Sequence, residues 1–81
     1  MRLDKYLKVS RIIKRRVIAK EYIDRGLVKL NGKIAKASSL VNINDTLEIT
    51  FKNETSYYRI INIFESATEE KAKTMYQKEE K

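Results

Sequence analysis

Eighty-one residues with 18 Lys+Arg against 11 Asp+Glu, a net charge of +7, have room for one small core and none for a second catalytic domain. The absence of Cys and His excludes disulfides, the usual zinc sites, a thiol nucleophile and an imidazole base, so no cofactor or metal is expected. No run approaches 18 consecutive apolar residues, and charge interrupts the N-terminal MRLDKYLKVSRIIKRR too often for a signal peptide, which gives a cytoplasmic expectation with no membrane partner.

Leu3, Tyr6 and Leu7 stand at i, i+3, i+4, and Ile18, Ala19, Tyr22 and Ile23 make a second set at helical spacing, which predicts two short helices near 2–9 and 15–25. Ser10 opens the joint between them, where its hydroxyl can cap a turn. Gly26, after Arg25, suits the left-handed residue that ends a helix. The period then changes. Leu27-Val28-Lys29-Leu30, Asn31-Gly32 and Lys33-Ile34-Ala35-Lys36 form a hairpin around the dipeptide best able to supply two positive φ angles.

Ala37-Ser38-Ser39 is a polar loop and Asn42 to Asp45 a turn. Thr46 to Phe51 alternates polar and apolar residues as a half-buried strand does, Lys52 to Thr55 is a second turn, and Tyr57 to Phe64 is rich in strand formers. From Ser66 the pattern is helical again: Ser66 or Thr68 caps, Glu69 and Glu70 occupy the first turn, and Ala72, Met75 and Tyr76 share a face. The expected fold is α+β, with two N-terminal helices packed on a small, mainly antiparallel sheet. The expected organisation is an N-terminal domain over 1–64 and a C-terminal helical tail over 65–81.

Charge is unevenly placed. Residues 1–36 hold 12 basic and 3 acidic side chains, a local net of +9, whereas 37–81 hold 6 and 8, a local net of −2. On a helical wheel Arg2, Lys5 and Lys8 lie opposite Leu3, Tyr6 and Leu7, so one face docks and the other faces solvent. Arg11, Lys14, Arg15 and Arg16 crowd the joint, and Lys20 stands one turn beyond Arg16. A folded domain with such an excess is built for a polyanion. The helices need their apolar faces for the sheet, which argues against an interfacial membrane helix. The second helix has few Asn, Gln or Ser residues for base edges, which favours backbone and shape recognition of structured RNA over helix-turn-helix reading of DNA. Asp4, Glu21, Asp24, Asp45 and Glu48 are scattered among the cations and read as charge balance or capping. No carboxylate pair or phosphate loop supports catalysis, and a non-enzymatic protein is expected.

Arg2-Leu3-Asp4-Lys5-Tyr6-Leu7, Arg15-Arg16 with Ala19, Arg25-Gly26, Val28, Leu30-Asn31-Gly32-Lys33 and Asn44-Asp45-Thr46-Leu47 together resemble the S-four RNA-binding domain, the αL module, over residues 1 to about 51. Asn44 replaces the family's usual glycine, and asparagine tolerates the left-handed conformation next best. Val9 to Arg16, Lys36 to Ser39 and Lys71 to Tyr76 are similar to the stand-alone bacterial subgroup that holds the small ribosome-associated heat-shock protein and the RqcP group, and the short, weakly basic tail is the more RqcP-like.

That resemblance implies a ribosome-associated accessory factor of bacterial quality control. Its partners would be large-subunit rRNA, peptidyl-tRNA and an RqcH-type elongation factor that adds alanine tails, and it would act as a monomer. The resemblance implies RNA-gripping positions at Arg2, Arg11, Lys14, Arg15, Arg16 and Lys20; Lys5 and Lys8, on the free face of the first helix, and Ser10, at the joint, complete the expected RNA-binding set. Alternatives are a heat-shock-type recycling factor, a structural or assembly ribosomal protein, and a regulatory subunit of an RNA-modifying enzyme.

Overall fold

The computed structural model describes residues 1–80; Lys81, the last residue of the expected tail, lies outside the described residues. Helix α1 spans Leu3–Val9 and α2 spans Arg16–Asp24, followed by strands β1 (Val28–Leu30), β2 (Lys33–Ile34), β3 (Thr46–Phe51) and β4 (Glu54–Ile60). A single-turn helix α3 (Glu69–Ala72) and strand β5 (Tyr76–Glu79) complete the chain. All the pairings are antiparallel and the sheet order is β2-β1-β3-β4-β5.

The helices cover one face of the sheet. Leu3, Tyr6, Leu7, Val28, Leu47, Ile60 and Met75 are fully buried between the layers, and each aliphatic side chain so removed from water contributes about 1.5–3 kcal/mol. In β3, Leu47 and Ile49 point inward while Glu48 lies on the far face, where it stands opposite Lys29 and Tyr57. That far face also holds Arg59, whose Nε donates to Glu79 at 3.0 Å.

Local chemistry sets the ends of these elements. Gly26 (φ +75°) follows α2; its N–H donates to Ile23 O and the Leu27 N–H to Tyr22 O, both at 3.0 Å, the paired bonds of a Schellman end. Asn31 (φ +52°) and Gly32 (φ +80°) make the β1–β2 turn. The Asn31 side chain accepts the Thr46 N–H at 3.0 Å and donates to Asp45 at 3.1 Å, tying that turn to the one before β3, where Asn44 takes φ +76° as expected.

Two segments depart from the expected pattern. The turn before β4 is only Lys52-Asn53, both at positive φ, so β4 begins at Glu54 and ends at Ile60 instead of running from Tyr57 to Phe64. The expected C-terminal helix is confined to one turn, capped by Thr68, whose Oγ1 accepts the Lys71 N–H. Ala72 and Met75 are buried as their shared apolar face implies, but Tyr76–Glu79 then extends and pairs with Tyr57–Ile60. The reason is the open edge of β4: its unpaired N–H and C=O groups offer a ladder, while a helix beyond Tyr76 has no apolar stripe to bury.

Candidate nucleic-acid interface

The N-terminus of α1 has no side-chain cap. The 37–39 loop takes its place: Leu3 N–H donates to Ser39 O at 2.7 Å and Asp4 N–H to Ala37 O at 3.2 Å. In the middle of the helix Tyr6, wholly buried, donates its hydroxyl to the Met75 carbonyl at 2.8 Å. Burial, with a smaller contribution from Tyr76, pushes that hydroxyl far above the ordinary tyrosine range, so it remains a neutral donor. Helix α1 is thus held at its start and at its middle, which sets the direction of its solvent side.

The joint between α1 and α2 turns at Arg11, which takes φ +63° although it is not glycine. Its N–H donates to Lys8 O and the Ile13 N–H to Leu7 O, both at 3.1 Å. Ser10 is 1% exposed; its hydroxyl donates to Leu7 O at 3.3 Å and lies 3.5 Å from the Ile12 nitrogen. Ser10, expected among the RNA-binding residues, is therefore buried and shapes the joint from inside, its hydroxyl engaged by the turn it was expected to cap.

Around this turn the structure gathers Lys5, Lys8, Arg11, Lys14 and Arg16 into a shallow depression of about 390 Å³, bounded by Glu65, Ser66 and Ala67. Beyond Arg11 and Lys14 a second hollow continues past Glu69, Lys73 and Tyr76. Arg2 is exposed next to Arg16, whereas Arg15 and Lys20 are exposed outside the depression. Lys5 pairs with Glu65, and its ammonium holds that exposed carboxylate below its ordinary pKa.

One residue escaped the sequence reading. Asp4, expected to be surface charge balance, is 3% exposed. Its Oδ1 accepts the Lys5 N–H at 2.8 Å and Arg16 Nη2 at 3.3 Å, and its Oδ2 accepts Arg2 Nη2 at 3.3 Å. Burial alone would raise its pKa; the hydrogen bonds from Arg16 and Lys5 and the charges of Arg16 and Arg2 outweigh it and hold the carboxyl below the usual aspartate value. The available signal was that Asp4 is the one acid among the first 20 residues.

The aromatic residues pack mainly on each other. Tyr22 stacks on Phe51 with centroids 6.0 Å apart, and Tyr58 meets Tyr76 edge-on at 5.4 Å. Among the described residues no group of His, Cys, Asp and Glu can hold a metal ion, and no helix is long and apolar enough to cross a membrane. What remains is a set of cations gathered around one depression, suited to successive phosphates of a folded polyanion.

Residues 1–47 match the S4 domain family. A protein of Streptococcus pneumoniae named RQC P-site tRNA stabilizing factor is 49% identical over 77 residues, 95% of this chain and 88% of that one. The Bacillus subtilis protein of the same name is 46% identical over all of this chain and 96% of its own. The trimeric structure of Vibrio cholerae heat shock protein 15 superposes with a TM-score of 0.89 at 28% identity, covering 98% of this chain and 81% of that one. With the helix pair, the five-stranded antiparallel sheet and the basic joint in place, the chain belongs to the S4 domain family of RNA-binding proteins, alongside the ribosome quality-control factors named for stabilizing P-site tRNA.

Proposed function

We propose that this protein is a non-enzymatic factor of bacterial ribosome-associated quality control, cytoplasmic and ribosome-bound. In this reading it binds large subunits obstructed by peptidyl-tRNA, touches both rRNA and tRNA, and assists an RqcH-type factor in adding a C-terminal alanine tail. The observation that supports it most is the cationic depression of Lys5, Lys8, Arg11, Lys14 and Arg16, with Arg2 alongside, on a chain 49% identical to a P-site tRNA stabilizing factor. Arg15 and Lys20 extend the same charged surface, and Ser10 supports it from within. The protein acts as a monomer in this reading, which sedimentation of the free protein would check against the trimer of the heat-shock relative.

The test is binding of purified protein to large subunits carrying peptidyl-tRNA. Arg2→Ala and Arg16→Ala are each expected to weaken binding about tenfold. Both retain the fold, because each leaves Asp4 one guanidinium partner. With four to six phosphate contacts the log–log salt slope is roughly −3 to −5. Wild-type affinity in both variants, or a flat salt response, would overturn this surface. The likeness to heat shock protein 15 favours a second reading, recycling of obstructed subunits without tailing; recovery of an RqcH-type factor with the tagged protein separates the two.

A further inference from the structure

A carboxylate beside a polyanion site opposes binding by its charge, so its presence there needs another reason. Asp4 is buried under the two guanidiniums, not set among solvated charges: its side chain is 4% exposed, while those of Arg2 and Arg16 are 49% and 46% exposed. Each guanidinium gives Asp4 one Nη, at 3.3 Å in both cases, and keeps its other N–H groups on its half-exposed side. The Lys5 N–H at 2.8 Å fixes the carboxylate itself. Arg2 comes from the residue before α1 and Arg16 from the first turn of α2, so one carboxylate brings together two cations 14 positions apart. An unpinned arginine loses much of its rotamer freedom on binding, and pinning it beforehand removes that cost.

We propose that Asp4 is a positioning residue that presents Arg2 and Arg16 as a preset pair of guanidiniums for neighbouring phosphates of the bound RNA. The inference rests on the RNA-binding function proposed above. It makes a prediction opposite in sign to simple electrostatics: Asp4→Asn raises the net charge from +7 to +8 yet weakens specific binding.

Wild type and D4N are titrated against large subunits carrying peptidyl-tRNA over a series of salt concentrations, with circular dichroism as a fold control. Folded D4N is expected to bind about tenfold more weakly with an undiminished salt slope, because every cation remains but two are no longer aimed. R2A, by contrast, lowers the slope magnitude by about one. Equal or tighter binding by D4N overturns the positioning role and leaves the RNA-binding reading standing; no binding by wild type overturns both. If D4N does not fold, R2K and R16K decide the matter, since lysine keeps the charge and lacks the fork. Binding about tenfold weaker supports the preset pair, and wild-type affinity in both refutes it.

Discussion

Arg11 offers a separation of strain from charge. At φ +63° it occupies the left-handed region, which costs a residue with a Cβ about 1–2 kcal/mol. Glycine removes that cost but adds about 0.5–1 kcal/mol of chain entropy in the unfolded state. Arg11→Gly is therefore expected to be more stable by about 0.5–1 kcal/mol, a gain of roughly 2–8 °C in Tm for a domain this small. Arg11→Ala keeps the strain and gains nothing. Both variants remove the phosphate contact proposed for Arg11, so the salt slope for RNA binding is expected to fall in magnitude by about 0.7–0.9 in each. Urea denaturation followed by circular dichroism, with binding measured in parallel, tests both halves. An R11G protein no more stable than R11A would refute the idea that the joint stores strain to place a cation at its apex.

Met75 is fully buried, and Met75→Ala is expected to cost about 2–5 kcal/mol in urea denaturation; a loss below about 1 kcal/mol would mean that the C-terminal segment is not part of the core. Tyr6→Phe removes the hydroxyl donor to Met75 O, which keeps the Ile61 and Asn62 N–H groups at 2.8 and 3.1 Å, so about 1 kcal/mol is expected in the same assay. The Asp4 carboxyl has a depressed pKa in the folded state; its stabilisation is fully present above the unfolded value of about 3.9 and disappears as pH falls through the lower folded value. Urea midpoints measured from pH 6 down to pH 2.5 should thus fall more steeply for wild type than for D4N below about pH 4, and superimposable curves would contradict the linkage.

The elements whose signals are local were legible from residues alone. Helices α1 and α2, the Asn31-Gly32 turn and the alternation of β3 all lie where propensity, turn chemistry and burial agree. The β4 start was displaced because Lys52 is an unusual residue at positive φ and conceals a two-residue turn. Strand β5 was hidden because Ala72, Met75 and Tyr76 have helical spacing, while the edge that captures the chain belongs to residues 57–60. The basic joint was visible as composition. Its organiser was not: nothing within a few residues of Asp4 reveals that Arg16, 12 positions on, closes over it, and a hydroxyl at Ser10 looks the same in sequence whether it faces water or the core.

The far face of the sheet has a bearing on how the molecule meets its target. There Lys29 stands opposite Glu48, and Arg59 is joined to Glu79, so the surface away from the helices balances its own charges. The uncompensated positive charge is concentrated on the helical side, and the protein is an electrostatic dipole. In the field of a large polyanion such a body turns before it touches, which shortens the rotational search and raises the encounter rate in a way that added salt abolishes. Orientation would then be selected in the approach, ahead of any contact that tells one RNA from another.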